Sequence, residues 1–346
     1  MHHEHLKSKL HHYGIRNNTL NWIGTFLSQR QQRVIINGET SKWHPVISGV
    51  PQGTVLGPLL FLIYINDIVE GLQCNIRLFA DDAILYTTVA NDQDSTKLQQ
   101  DLNHVCQWAS KWQMTFNPKK CNTMSVGLKR TKSHHEYTML GETLAQVQEH
   151  KYLGVTIAED LTWNSNYRCT VSKANKILGL LQRNIYQCSK ETKAKAYKAL
   201  VRPHLEYAAA VTDPYQSKYI QMLDRVQRRA ARFVVGDFRR KSSVTKMIQE
   251  LEWESLAERR KTARLCQFYF VHKGESPNTF TKLQQRDTNH SSRHFTADAY
   301  KVIETRTGRY QNSFLPRTIR DWNSLPLAST TQPTLEKFKA SLLLSN

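Results

Sequence analysis

Two adjacent carboxylates, Asp81 and Asp82, interrupt an apolar stretch that reads Ile76-Arg77-Leu78-Phe79-Ala80-Asp81-Asp82-Ala83-Ile84-Leu85-Tyr86. The two apolar runs that meet at the pair predict a buried β-hairpin with the acids at its hinge. Asp is seldom tolerated there without a partner. The partner suited to paired oxygen donors is a hard divalent cation such as magnesium. Alone, an Asp-Asp turn is weak evidence, because Asp is a common turn former. Upstream, Ser48-Gly49-Val50-Pro51-Gln52-Gly53 leads into the apolar run Thr54-Val55-Leu56-Gly57-Pro58-Leu59-Leu60-Phe61. Glycines at 49 and 53 let the backbone approach a ligand closely, although a Gly/Pro turn before a helix explains the hexapeptide equally well.

The elements that must position these residues follow from periodicity and punctuation. A first helix should stop at Tyr13-Gly14, and a second should run near Leu20–Leu27. A strand at Arg33–Asn37 should turn at Asn37-Gly38. From about Gly57 to Asn66 an apolar helix carries Leu, Phe and Ile all round, which predicts burial. Leu98, Leu102, Val105, Ala109 and Trp112 define a further helix starting near Asp94-Ser95, ended by Asn117-Pro118. Short strands at Thr123–Val126 and Lys151–Ile157 complete an α+β arrangement with an antiparallel sheet.

From about Leu161 the chain turns to basic helices. Ser189 should cap one of them and Pro203 should stop it. Lys218 to Val235 is the clearest, with Tyr219, Ile220, Leu223, Val226, Ala230 and Phe233 as an apolar stripe. Arg225, Arg228, Arg229 and Arg232 share another face, read either as a phosphate-contacting surface or as the solvated side of a core helix. Residues 274–293 look like a linker, and a short helix over Thr334–Leu344 ends the chain.

Charge points to the class of partner. The 346 residues carry 48 Lys+Arg against 29 Asp+Glu, a formal net charge of +19. Residues 1–125 hold 11 basic and 9 acidic side chains, leaving 37 and 20 for 126–346. Such asymmetry favours a polyanion, most simply nucleic acid. Six scattered cysteines without zinc-like spacing read as reduced thiols of an intracellular protein. No signal peptide or membrane-length apolar run is visible. Lys129-Arg130 and Arg239-Arg240-Lys241 are weak candidates for nuclear signals. The histidines at 2, 3, 5, 11, 12, 134 and 135 lack acidic or cysteine company and read as ordinary surface or core residues.

Gln52 in its motif, followed 29 residues later by Asp81 of Phe79-Ala80-Asp81-Asp82, resembles the palm of reverse transcriptases, in the form carried by non-LTR, jockey-like retrotransposons. Tyr13-Gly14-Ile15 and Trp322-Asn323-Ser324-Leu325-Pro326 also look jockey-like. The resemblance implies a partial polymerase palm over 1–158, a basic helical thumb over 159–235 and a basic C-terminal region over 236–346. It implies RNA-directed DNA synthesis with magnesium, an RNA template, a DNA primer and deoxynucleoside triphosphates, in the nucleus or cytoplasm and without a membrane. Asp81 would be the metal ligand and Asp82 its support. Pro51, Gln52, Gly53, Phe79 and Ala80 would line the nucleotide pocket. Asn117-Pro118-Lys119-Lys120 matches the family's Asn-Pro-x-Lys element, so Lys120 would protonate the leaving pyrophosphate; an exposed surface lysine is the competing reading. Tyr152, Leu153 and Gly154 would form the hairpin that grips the primer.

Family members carry a first metal-binding Asp in a strand reading Phe-Asp-x-Val-x-His-x-x-Leu. Met1, His3 and Leu6 align with its Val, His and Leu, which puts that Asp before Met1. The expectation is therefore a polymerase fragment inactive by itself, with an unpaired place in its sheet. The alternative is a non-enzymatic nucleic-acid-binding relic. A group II intron maturase or telomerase is a weaker third reading.

Overall fold

The computed structural model describes residues 1–127, 135–275, 283–285 and 298–344. Lys129-Arg130, His134 and most of the expected linker over 274–293 lie outside these residues. Two compact units are present, Met1–His150 and Lys151–Asn346. The composition is α+β, but in place of the expected antiparallel sheet the described strands form separate two-stranded ladders, one of them parallel (Asn122–Thr123 with Ala145–Gln146), nearly all in the N-terminal unit.

In the N-terminal unit, α1 (His3–His12) and α2 (Asn17–Leu27) come first. Gly14, at φ 88°, releases the chain after α1. Asn37 and Gly38, both left-handed at φ 50° and 88°, join Ile35–Ile36 to Glu39–Thr40 in register Ile36↔Glu39. This is the turn that Asn-Gly favours, with strands shorter than expected. α3 (Leu56–Ile65) packs through Leu60 and Tyr64 against Leu6, Leu10, Ile23 and Leu27. Full burial of α3 was the expectation, yet Leu59 and Leu62 are about half exposed, at 52% and 50%. An apolar helix is covered only where neighbours reach it, and here they reach one side.

α4 (Asp92–Lys111) begins with a capping box, in which the Asn91 side chain accepts the Asp94 N–H and the Asp94 carboxylate accepts the Asn91 N–H. It does not continue to Asn117-Pro118. Gln113 adopts a left-handed φ of 51° and turns the chain away, and Pro118 opens a separate 3-10 turn over Pro118–Lys120. Lys9 ties α1 to α3 and to the end of α4. It is 4% exposed, donates to the Tyr64 carbonyl and the Asp67 carboxylate at 2.5 Å each, and sits 3.8 Å from the Trp112 ring centre. Asp67 also accepts the Trp108 indole N–H at 3.1 Å, so this acid at the end of α3 serves structure.

The C-terminal unit is helical: α5 (Asn164–Asn184), α6 (Lys190–Ala196), α7 (Arg202–Glu206), α8 (Ala209–Thr212), α9 (Ser217–Val235), α10 (Val244–Glu250), α11 (Leu256–His272), α12 (Gly308–Gln311), α13 (Phe314–Asn323), α14 (Leu327–Thr330) and α15 (Leu335–Leu344). Ser189 caps α6 as expected, accepting the Thr192 N–H at 3.2 Å. Pro203 does not stop the helix. A π turn over Tyr197–Val201 precedes it and Pro203 falls in the first turn of α7, where a missing N–H is tolerated. One core gathers Leu178, Val201, Val226, Ala230 and Phe233.

A second core centres on Trp322, Phe268, Tyr300 and Phe338. It explains the Trp-Asn-Ser-Leu-Pro signature structurally. Trp322 is fully buried and donates to the Asp298 carbonyl at 3.2 Å, while Asn323 bonds both the N–H and the carbonyl of Tyr300, at 2.9 and 2.7 Å. Buried Asp213 ties α8 to the later helices by accepting Arg260 Nε and Arg264 Nε at 2.8 Å and Arg317 Nη1 at 3.2 Å. Such charges are tolerated inside because they are paired.

Candidate functional site

Asn75–Phe79 and Asp82–Tyr86 pair antiparallel in register Phe79↔Asp82, so Ala80 and Asp81 form a two-residue loop. Ala80 takes a left-handed φ of 51°, a conformation that costs a residue with a Cβ about 1–2 kcal/mol. Along the first strand Ile76 and Leu78 are half-buried against the Ile65, Ile68, Val105 and Trp108 cluster, while Asn75, Arg77 and Phe79 face outward. Asp101 of α4 fixes where the hairpin starts. It is 3% exposed, and its Oδ2 accepts the backbone N–H groups of Gln73 at 2.9 Å and Cys74 at 2.6 Å. Burial, then the hydrogen bond to this carboxylate, push the Cys74 thiol up to about 11.

The hairpin is real, but it is not buried as expected. Only one face is covered; Asp81 and Asp82 are exposed and Phe79 is 61% exposed. Water can satisfy both carboxylates, so burial no longer argues for a metal ion. Two like charges nevertheless sit side by side on this turn, and neither carboxylate has an ion-pair or hydrogen-bond partner among the described residues. Hard oxygen donors suit magnesium. Their number does not complete a site, because among the described residues no group of three or more His, Cys, Asp or Glu is placed to hold a metal.

Pro51-Gln52-Gly53 forms an exposed turn immediately before α3, with Gly53 at φ 83°. Thr54 secures it, donating from Oγ1 to the Pro51 carbonyl at 2.8 Å and accepting the Gly57 N–H at 3.1 Å. Gly57 was not singled out from sequence, yet a Cβ there would lie 2.7 Å from the Pro51 carbonyl oxygen. His3 was also passed over as ordinary. Its Nε2 lies 2.8 Å from the Gly49 carbonyl, and the Gly49 N–H donates to the Met1 carbonyl at 2.8 Å. His2 makes an antiparallel bridge to Ser48. Residues 1–3 thus brace the loop that leads to Gln52. The usable signal was the position of His3 in the Phe-Asp-x-Val-x-His pattern.

Lys120 is exposed at the end of its 3-10 turn, which Asn117 stabilises by accepting the Lys119 N–H at 3.2 Å. Leu153 and Gly154, at φ 46° and 81°, link strands Glu149–Tyr152 and Val155–Ala158. Tyr207 donates to the Leu153 carbonyl at 2.7 Å, and its ring would lie 3.0 Å from a Cβ at Gly154.

The four arginines of α9 have different partners. Arg225 and Arg229 line a groove of about 200 Å³ with Val171, Asn175, Met222 and Val226. Arg229 donates to Asn175 at 3.1 Å and Arg228 reaches Thr245 at 3.5 Å. Arg232 is taken up by its own chain, donating to the carbonyls of Asp237, Arg239 and Ser242. Among the described residues no helix is long and apolar enough to cross a membrane.

Comparison with known proteins places these features in a family context. Residues 1–157 match the reverse transcriptase (RNA-dependent DNA polymerase) family. Over 230 residues the chain is 30% identical to the RNA-directed DNA polymerase from mobile element jockey of Drosophila funebris, and 26% identical to that of Drosophila melanogaster. Each alignment covers 62% of this chain and 25% of the relative. A probable RNA-directed DNA polymerase from transposon X-element of Drosophila melanogaster is 26% identical over 227 residues, covering 62% and 24%. The chain therefore spans about a quarter of the length of the curated relatives it matches. The resemblance to reverse transcriptases of jockey-like, non-LTR retrotransposons, drawn from the motifs, is borne out.

Proposed function

We propose, on the premise that residues 1–157 are related to reverse transcriptases, that this chain contributes part of an RNA-directed DNA polymerase. Residues 1–158 would be palm, 159–235 thumb and 236–346 a basic C-terminal region, acting in the nucleus or cytoplasm on an RNA template, a DNA primer and deoxynucleoside triphosphates. The observation that carries the reading is the Asp81-Asp82 turn, fixed in register by Phe79↔Asp82 and set within the matched residues. Asp81 and Asp82 would hold magnesium, which when bound acidifies the primer 3′-hydroxyl and neutralises charge on the triphosphate. Pro51, Gln52, Gly53, Phe79 and Ala80 would orient the incoming nucleotide. The primer 3′-oxygen would bond to the α-phosphorus, its proton passing to solvent, as the bond to pyrophosphate breaks, and Lys120 Nζ would give that leaving group a proton, to be regained from solvent. Tyr152, Leu153 and Gly154 would hold the primer strand, and Arg225, Arg228 and Arg229 its phosphates. The described residues supply two carboxylates, fewer ligands than two hard cations need, so this chain alone is expected to extend primers poorly.

Iron-mediated cleavage tests the metal site without requiring turnover. With Fe2+ and ascorbate the backbone should be cut beside Asp81, and the cut should disappear in Asp81→Ala and on adding excess Mg2+. Primer extension on an RNA template should be weak and lost in the same variant. Cutting that ignores Asp81→Ala, or synthesis that survives it, refutes the reading. A non-enzymatic nucleic-acid-binding role is favoured by the exposure of both acids; it predicts salt-dependent binding that needs no magnesium and is unchanged by Asp81→Ala.

A further inference from the structure

The loop between α9 and α10 is held more tightly than a surface connection requires. Gly236, at φ 78°, ends α9 with its N–H on the Arg232 carbonyl at 2.8 Å. Asp237 then folds the loop around its carboxylate. Oδ1 accepts the Arg239 backbone N–H at 2.9 Å and its Nε at 3.1 Å; Oδ2 accepts Arg239 Nη2 at 2.9 Å and the Ser242 hydroxyl at 2.6 Å. From the other side the Arg232 guanidinium bridges the carbonyls of Asp237 (3.3 Å), Arg239 (2.9 Å) and Ser242 (3.2 Å). Ser243 finally caps α10, accepting the Lys246 N–H at 3.4 Å. These bonds hold the Asp237 carboxyl well below the usual carboxylate range.

What the clasped loop presents outward is an aromatic ring among cations. Phe238 is 55% exposed, and Arg240 and Lys241 are exposed without a side-chain partner among the described residues. Arg239 keeps 83% of its side chain exposed although it is paired with Asp237. Over residues 225–246 there are eight basic side chains and one acid, Asp237. A single exposed phenylalanine needs no explanation. A clasped loop carrying one, followed within three residues by two unpaired cations, does, because the hydrogen bonds that hold the backbone keep the ring from being tucked away. Ring and charges together match the chemistry of an unpaired nucleotide, whose base stacks on an aromatic face while its phosphates meet Lys and Arg.

We propose that the Gly236–Ser243 loop is a stacking platform for single-stranded nucleic acid. A base lies on Phe238, and the flanking phosphates contact Arg240 and Lys241. The inference rests on the polymerase reading only for the identity of the polymer. A protein partner is disfavoured by the excess of unpaired positive charge on the loop, Arg240 and Lys241, beyond the Asp237–Arg239 pair.

The test uses the full chain with fluorescein-labelled oligouridylate and with a labelled RNA duplex of equal length. Base–aromatic stacking contributes about 1–3 kcal/mol per base, so Phe238→Ala should weaken single-strand binding about five- to 150-fold. Duplex binding should change little, and Phe238→Trp should restore the single-strand affinity. Removing two phosphate contacts in Arg240→Ala/Lys241→Ala should flatten the dependence of log affinity on log salt by about 1.4. Phe238 is exposed, so its variants should melt with the parent. Unchanged oligouridylate affinity in Phe238→Ala, or equal losses for single strand and duplex, overturns the proposal. So does a Phe238→Ala effect seen only on self-association by sedimentation, which would make the loop a protein contact. Asp81→Ala should leave oligouridylate binding intact, so failure of the polymerase reading and failure of this one register in separate measurements.

Discussion

Replacing Asp101 by alanine should detach the start of the acidic hairpin from α4 and weaken the N-terminal unit by about 2–4 kcal/mol. A hydrogen bond to a charged group contributes about 1.5–3 kcal/mol, and Asp101 Oδ2 accepts two. They are not equivalent. Cys74 is buried, so its N–H would lose its only acceptor out of reach of water; Gln73 is exposed, and solvent can replace most of what it loses. The Cys74 bond therefore sets the lower bound and the Gln73 bond adds about 1 kcal/mol. Urea denaturation should show the loss, and hydrogen exchange should localise it to the amides of Cys74–Leu78. Asp101→Asn keeps an oxygen acceptor without the charge and should cost about half as much. The same neutral substitution should lower the Cys74 pKa from its value of about 11, raising its labelling rate by thiol reagents at pH 8. Because that pKa is raised on folding, the contribution of Cys74 to stability falls as pH rises from 9 towards 11. A loss below about 1 kcal/mol in Asp101→Ala, with unchanged exchange at the hairpin, would refute the reasoning.

Ala80→Gly should stabilise the hairpin by about 0.5–1 kcal/mol, since glycine adopts the left-handed φ without the Cβ penalty and gives back part of the gain as chain entropy; a destabilised variant in urea would contradict the turn geometry. Arg232→Ala should cost about 2–3 kcal/mol, because three carbonyls lose a charged donor, and should lower the melting temperature of the C-terminal unit by about 4–12 °C. Arg225→Ala, at a side chain that lines an open groove, should leave melting unchanged. Gly57→Ala places a Cβ 2.7 Å from the Pro51 carbonyl oxygen, so it should displace the Gln52 turn. In a polymerase assay that raises the KM for nucleotide, and an unaltered KM would exclude a role for this turn in nucleotide binding.

Local signals were legible where one residue dictates the local geometry. Asn37-Gly38 formed its turn, Ser189 capped its helix, and the apolar stripe from Tyr219 to Phe233 became the buried face of α9. The misreadings share a cause: tertiary contacts decided the outcome. Gln113 takes a left-handed conformation that glutamine does not advertise, so α4 ends at Lys111 and Pro118 has nothing to terminate. Pro203 does not stop the chain's helical run, because the π turn ends at Val201 and Pro203 falls in the first turn of α7. Periodicity could not show that neighbours would cover only part of α3 and one face of the hairpin. At the candidate site the acidic pair and the Gln52 turn were visible as motifs. The supports were not: Asp101 acts on backbone groups 27 and 28 residues away, Gly57 matters through the space a Cβ would fill beside Pro51, and His3 shows only through its place in the family pattern.

The arginine stripe shows why residue type and spacing do not fix a role. From sequence, Arg225, Arg228, Arg229 and Arg232 are equivalent, all on one helix face without an acid among them. In the folded unit Arg232 bonds three carbonyls up to ten residues ahead, and Arg229 is shared with Asn175. Arg228 has only a 3.5 Å contact to Thr245, long enough to exchange for phosphate. A phosphate competing for Arg232 would have to repay the loss of three hydrogen bonds, whereas one meeting Arg225 displaces only water. Nucleic-acid affinity on this helix should therefore concentrate on Arg225 and Arg228. Because Arg232 instead fixes the loop that carries Phe238, Arg240 and Lys241, its role is structural and the unpaired cations lie on that loop.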